Sequence, residues 1–130
     1  MAHILLIEDD FVLRDITAVH LRNAGHTVTD AADGNEGLAR YKAHEPDLVI
    51  TDLVMRGDGG IGVIIALQRL SPAPRILVIS GAPDSPSFLK MAQELGARRG
   101  LSKPFTRDSL LSAVNEVLSQ PLNSISRNAR

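Results

Sequence analysis

Short apolar runs alternate with longer segments of helical spacing along most of this chain. Four of these runs span residues 4–7, 27–31, 48–51 and 76–79, and a weaker fifth run lies around Leu101. The runs at residues 4–7, 48–51 and 76–79 are almost continuously apolar rather than alternating between apolar and polar positions. This pattern predicts five strands of a parallel sheet that is buried on both faces.

The segments between and after the runs predict five helices. They cover residues 11–24, 35–43, 61–70, 87–95 and 107–119. The first carries Val12, Ile16, Val19 and Leu21 on one broad face, and Gly25 follows it as a typical left-handed helix end. Thr106 is placed to cap the last helix. Because strand and helix alternate five times, the sequence predicts an α/β domain that is doubly wound by right-handed crossovers.

Composition narrows the class of protein. The chain has 130 residues, 44% of them apolar, which suits one domain, predicted over residues 1–120, with a flexible tail over residues 121–130. It has no cysteine and a net charge of -1. The charge argues against direct nucleic-acid binding, and the short apolar runs argue against a membrane span. With no secretory leader pattern either, we expect a cytoplasmic protein.

Polar side chains follow four of the predicted strands. In parallel α/β sheets, ligands bind beyond the carboxyl ends of the strands, so these side chains should meet at one edge. Acids crowded there would repel each other unless a cation neutralised them, and hard oxygen ligands favour Mg²⁺. The side chains concerned are Glu8, Asp9, Asp10, Asp52, Ser80 and Lys103.

Such a site suits a phosphoryl group. Asp52 could act as an oxygen nucleophile toward phosphorus, because an aspartate can form an acyl phosphate beside a metal ion and a cation. Lys103 would supply the positive charge, and Ser80 could donate a hydrogen bond to a phosphoryl oxygen.

These residues form motifs that resemble those of two-component response-regulator receivers over nearly all of residues 3–119. The motifs are Glu8-Asp9-Asp10, Asp52-Leu53-Val54-Met55, Ser80-Gly81-Ala82, Gly96-Ala97 and Lys103-Pro104-Phe105. The resemblance implies a flavodoxin-like fold with five parallel strands. It also implies that Asp52 is the phosphoacceptor, that Asp9 and the Val54 carbonyl bind Mg²⁺, and that Glu8 acts largely through water. The family's register favours Asp9 as the ligand, while Asp10 is placed to cap the first helix.

The resemblance also implies the partners and the type of activity. The phosphoryl donor would be a phosphohistidine on a sensor histidine kinase or a histidine phosphotransfer protein. The domain would catalyse its own phosphorylation and dephosphorylation as a switch, without being a turnover enzyme. Its downstream protein partner is unknown, and a phosphorylation-dependent homodimer stays open.

The chain departs from the family pattern at several positions. Arg56 replaces a proline and Gly59 an aspartate, so we expect a mobile loop over residues 55–60. Gly100 stands where receivers commonly carry an aromatic residue that swings inward. Val54 and Ala82 lack polar groups to orient water, which predicts slow dephosphorylation.

Two alternative functions stay open. One is a degenerate receiver that acts as a phosphorylation-independent interaction module. The other is a small phosphohydrolase, which Val54 disfavours because such enzymes place an acid two residues after the nucleophile.

Overall fold

Five parallel strands form one sheet in a computed structural model that describes residues 1–55, 59–81 and 85–121. The strand order is β2-β1-β3-β4-β5, and every neighbouring pair is parallel. The predicted tail from residue 122 onward, the centre of the predicted mobile loop and Ala82 lie outside the described residues. The strands are β1 (His3–Ile7), β2 (Thr27–Ala31), β3 (Leu48–Asp52), β4 (Arg75–Ser80) and β5 (Arg99–Ser102).

Five helices connect and cover the strands, as the sequence predicts. Two apolar clusters, one on each face of the sheet, show the doubly wound arrangement: α1 and α5 pack on one face, and α2, α3 and α4 on the other. The predicted α/β fold is therefore confirmed. The helices are α1 (Phe11–Asn23), α2 (Gly34–His44), α3 (Gly59–Gln68), α4 (Ser85–Glu94) and α5 (Arg107–Leu118).

Local signals in the sequence fix several helix ends. Asp10 caps α1 by accepting hydrogen bonds from the amides of Val12 and Leu13, and Thr106 caps α5 with Ser109 as its reciprocal partner. Gly25 follows α1 with a φ of 100°, the left-handed conformation predicted for it.

The start of α3 is two residues earlier than predicted, at Gly59. Gly59 adopts a φ of 69°, and the amide of Gly60 donates to the Leu53 carbonyl at 3.0 Å. These glycines bring the first turn of α3 against the end of β3. Apolar periodicity starts only at Ile61, so the pattern could not mark this turn.

The exposed face of α1 differs from the sequence prediction. Leu21 is fully buried, but Val12, Ile16 and Val19 remain 53%, 49% and 50% exposed. At 3.6 residues per turn, Leu21 lies roughly 200° around the helix from Val19. The four residues predicted to share one broad face therefore lie on two opposite sides of α1. The buried side also includes the small residues Thr17 and Ala18, which let α1 approach the sheet. The outward side is an apolar stripe whose side chains stay about half exposed in the part of the chain that the structure describes.

Within the part of the chain that the structure describes, no helix is both long enough and apolar enough to cross a bilayer.

Candidate phosphoacceptor site

The carboxyl ends of four strands deliver polar residues to one edge of the sheet. Glu8 directly follows β1, Asp52 ends β3, Ser80 ends β4 and Lys103 directly follows β5. Backbone hydrogen bonds continue the sheet past these ends, since the Lys103 amide donates to the Ser80 carbonyl at 2.8 Å. The strands themselves therefore fix the relative positions of the four residues.

Three carboxylates gather at this edge. One oxygen each from Glu8, Asp9 and Asp52 lies within 4.8 Å of the others, and this is the one such acidic or histidine group found among the described residues. Glu8 is only 3% exposed and Asp52 only 4% exposed. Burial of like charges this close is costly unless positive charge compensates it.

Lys103 provides positive charge to two of these acids. Its Nζ lies 2.6 Å from Asp52 Oδ2 and 3.0 Å from Glu8 Oε1. The other oxygen of Asp52, Oδ1, accepts a hydrogen bond from the Val54 amide at 3.1 Å. Asp52 is thus held by an ammonium on one side and a backbone amide on the other.

Glu8 and Lys103 both have raised pKa values in this site. Burial, and then the neighbouring charge of Asp52, raises the pKa of Glu8 to about 7, despite opposing hydrogen bonds from Asp10 and Lys103. Burial alone would lower the pKa of Lys103, but its hydrogen bonds to Asp52 and Glu8 outweigh that effect and raise it. The charge of Asp52 thus adds to the effect of burial at Glu8 even though the Lys103 ammonium contacts both acids.

Asp9 and Asp10 have different positions. The Asp10 carboxylate caps α1, as predicted, and the Asp10 amide donates to Glu8 Oε2 at 3.1 Å. The Asp9 carboxylate is the one that joins Glu8 and Asp52.

Ser80 and Val54 also lie where the sequence predicts. Ser80 is fully buried at the end of β4. The Val54 amide contacts Asp52, and its side chain is 53% exposed. The roles predicted for them, donating to a phosphoryl oxygen and providing a carbonyl ligand, stay predictions.

Three further residues shape the site through contacts that the sequence motifs do not predict. Arg14 of α1 donates to the Glu8 carbonyl at 2.8 Å. Gly60 packs directly on the backbone of Asp52 and Leu53, and a Cβ at Gly81 would lie 3.1 Å from the Lys103 side chain. Motif spacing does not reveal these contacts, because each depends on how a helix or loop packs.

The donor set suits a divalent metal ion. All three carboxylates offer hard oxygen atoms, and the charge of Asp52 adds to the effect of burial in raising the pKa of Glu8. Mg²⁺ typically binds one or two carboxylates and keeps several waters. Glu8, Asp9 and Asp52 are the residues that would hold it.

Comparison with known proteins decides the family. Residues 4–115 match the family model described as the response regulator receiver domain. The chain belongs to this receiver family. It is 33% identical to the chemotaxis protein CheY of Bacillus subtilis, over 91% of this chain and 99% of that protein.

Solved receiver structures support the assignment. The chemotaxis protein CheY4 of Vibrio cholerae superposes with a TM-score of 0.82 at 30% identity, covering 90% of this chain and 98% of that one. The receiver domain of NtrX from Brucella abortus superposes with a TM-score of 0.86 at 27% identity, covering 91% and 99%. These values confirm the predicted flavodoxin-like receiver fold.

Other relatives are longer than this receiver. The chain is 30% identical to the transcriptional regulatory protein GlrR of Escherichia coli over 92% of its own length, but it spans only 27% of that protein. Receivers of this family are switches in two-component signalling. They bind Mg²⁺ in an acidic pocket and interact with histidine kinases and downstream effectors.

Proposed function

We propose that Asp52 of this receiver accepts a phosphoryl group from a phosphohistidine in a Mg²⁺-dependent reaction. The observation that carries the proposal is the 2.6 Å contact between Lys103 Nζ and Asp52, beside a group of three carboxylates. A lysine at this position can offset negative charge that develops on a transferring phosphoryl group. We also propose that the protein acts in the cytoplasm as a switch rather than as a turnover enzyme.

The residues of the chain suggest a division of roles. A carboxylate oxygen of Asp52 forms a bond to phosphorus while the bond between phosphorus and the donor imidazole nitrogen breaks, and the electron pair stays on that nitrogen. Bound Mg²⁺ would neutralise phosphoryl oxygens. Lys103 and the Ser80 hydroxyl would bind the phosphoryl oxygens after transfer, while the Val54 amide orients Asp52.

Intact-mass spectrometry tests this function. The purified chain is incubated with acetyl phosphate and MgCl₂, with EDTA in a parallel sample. We expect one added phosphoryl group on the wild type with Mg²⁺ and none on Asp52→Asn. An unmodified wild type would contradict the proposal and support the alternative of a phosphorylation-independent interaction module.

One structural feature motivates that alternative. At Gly100, where receivers commonly carry an aromatic residue, a Cβ would lie 2.9 Å from Leu89 Cδ2. Leu89 of α4 therefore occupies the space beside β5, and an inward-swinging aromatic side chain is absent at residue 100. The contact between α4 and β5 therefore differs from the common receiver pattern at residue 100, while the three acids and Lys103 remain together.

We expect the phosphohistidine donor to contact the apolar stripe of α1. This stripe, formed by Val12, Ile16 and Val19, is exposed and begins directly after the acidic loop, so a protein that reaches Asp52 would meet it. Ile16→Glu should reduce transfer from a phosphorylated sensor kinase that labels the wild type, by about tenfold. Labelling by acetyl phosphate should not change, and an equal loss with both donors would contradict this role.

The raised pKa of Glu8 predicts that Mg²⁺ binding depends on pH. Below pH 7 much of Glu8 is protonated, and a protonated carboxyl cannot serve as an anionic ligand. The affinity for Mg²⁺ should therefore rise between pH 6 and pH 8, as measured by calorimetric titration. Glu8→Gln should bind more weakly and lose most of this dependence. A flat profile in the wild type would contradict the prediction.

The phosphorylated form should lose its phosphoryl group slowly. Val54 presents an exposed apolar side chain two residues after Asp52, where it cannot orient an attacking water. We expect Val54→Asn to shorten the lifetime of the phosphorylated form by about tenfold. This lifetime is measured from the decay of the adduct mass after the donor is removed. A lifetime of seconds in the wild type would contradict this expectation.

A further inference from the structure

Arg14 connects α1 to the acidic loop through an interaction that the proposed chemistry does not use directly. Its Nη1 donates to the backbone carbonyl of Glu8 at 2.8 Å, and its Nε lies 3.9 Å from Asp30 Oδ2 on β2. The Arg14 side chain is only 19% exposed. One guanidinium thus joins a helix, an edge strand and the loop that carries the acids.

The end of β2 explains why this interaction is needed. The Glu8 amide still donates to the Ala31 carbonyl at 3.0 Å, but β2 ends at Ala31. The carbonyl of Glu8, on the next peptide group, accepts from the Arg14 side chain instead. A backbone acceptor in this part-buried position requires a partner, and Arg14 provides one.

The peptide group that Arg14 contacts is the one between Glu8 and Asp9. Both of these residues contribute a carboxylate to the group of three acids. Fixing this peptide restricts the directions in which both side chains leave the backbone. A flexible peptide at this position would have to be ordered whenever a metal ion binds.

We propose that Arg14 is a positioning residue that preorganises the Glu8–Asp9 peptide for metal binding. The inference rests on the metal site of the proposed function. It assigns Arg14 an effect on Mg²⁺ affinity that does not require phosphoryl transfer. Residues that orient metal ligands through hydrogen bonds typically change metal affinity by about 10- to 100-fold when they are replaced.

The sign of the effect separates two possible roles of Arg14. If its main effect were electrostatic, removing a positive charge near the acids would strengthen Mg²⁺ binding. If its main effect is to orient the Glu8–Asp9 peptide, removing it will weaken binding. The proposal therefore predicts a direction opposite to that of simple charge repulsion.

Arg22 provides a matched control on the same helix. It also donates to a backbone carbonyl of the sheet region, that of Val28, at 3.0 Å. Arg22→Met therefore removes the same charge and the same kind of hydrogen bond from α1. The acids at the carboxyl ends of the strands are not part of its contact.

Calorimetric titration of the unphosphorylated full chain with MgCl₂ tests the proposal. Arg14→Met should weaken the Kd for Mg²⁺ by about tenfold or more. Arg14→Lys, which keeps the charge and a donor, should recover part of the loss, and Arg22→Met should bind as the wild type does. In amide NMR spectra, the chemical shifts of Asp9 and Asp10 should differ between Arg14→Met and the wild type.

Each outcome has a distinct meaning. Unchanged or tighter Mg²⁺ binding by folded Arg14→Met would overturn the positioning role. An equal loss in Arg22→Met would also overturn it, because the effect would then be general to the helix. A wild type that binds Mg²⁺ with the expected Arg14 dependence, but accepts no phosphoryl group, would refute the proposed function and leave this inference intact.

Discussion

Replacement of Lys103 by methionine is expected to slow acetyl phosphate labelling of Asp52 by about a hundredfold or more. The Nζ of Lys103 contacts both Asp52 and Glu8, at 2.6 and 3.0 Å. Without it, negative charge that builds on the phosphoryl group would lack the positive side chain that contacts Asp52. The rate is measured from the adduct mass over time at a fixed Mg²⁺ concentration.

Electrostatics predict a second effect of Lys103→Met. Lys103 lowers the pKa of Glu8 through a hydrogen bond and its charge, so its loss should raise that pKa beyond its value of about 7. The rise in Mg²⁺ affinity with pH should therefore lie at a higher pH in the variant than in the wild type. Both the rate and this pH shift can be measured on the same preparation.

Lys90 supplies the control for Lys103. It is an exposed lysine on α4, so Lys90→Met removes one positive charge away from the acids. Its labelling rate should stay near that of the wild type. Normal labelling of Lys103→Met, or an equal loss in Lys90→Met, would show that Lys103 does not act on the reacting group.

Gly60→Ala is expected to destabilise the fold by about 1–3 kcal/mol and to reduce labelling of Asp52. A Cβ at this position would lie 2.7 Å from Leu53 Cα and would also contact the Asp52 carbonyl oxygen. The Gly60 amide already donates to the Leu53 carbonyl at 3.0 Å, so α3 cannot move away without losing that hydrogen bond. The strain falls on the backbone that carries Asp52.

Gly62 lies in the same helix and should respond in the opposite direction. It is exposed on α3, where alanine is a better helix former than glycine by about 1 kcal/mol. Urea denaturation should therefore show that Gly60→Ala is less stable than the wild type and that Gly62→Ala is more stable. Equal stability of Gly60→Ala and the wild type would contradict the close packing.

Much of the fold could be predicted because three of the strands, β1, β3 and β4, have an unambiguous apolar pattern. β3 is buried at all of its five positions, so its sequence is apolar until Thr51 and Asp52. Helix ends with side-chain or glycine signals, such as Asp10 and Gly25, were also predictable. The start of α3 was not, because the glycines at its first turn have no apolar periodicity.

The site was predictable to a similar degree. Parallel strands bring their carboxyl ends together, so Asp52, Glu8 and Lys103 could be expected at one edge from the sequence. The exposed apolar stripe of α1 could not be predicted, because apolar residues on two sides of a helix do not show which side packs on the sheet. The contact of Arg14 with the Glu8 carbonyl was equally hidden, since it depends on where β2 ends.

Chemical localisation of the phosphoryl group tests the central claim most directly. The chain is labelled with acetyl phosphate and Mg²⁺ and reduced with borohydride, which converts an aspartyl phosphate to homoserine, and its peptides are sequenced by mass spectrometry. The structure predicts homoserine at residue 52 alone, where Lys103 Nζ lies 2.6 Å from the carboxylate. Homoserine at another aspartate, or unmodified Asp52 in labelled protein, would contradict the proposal that Asp52 is the phosphoacceptor.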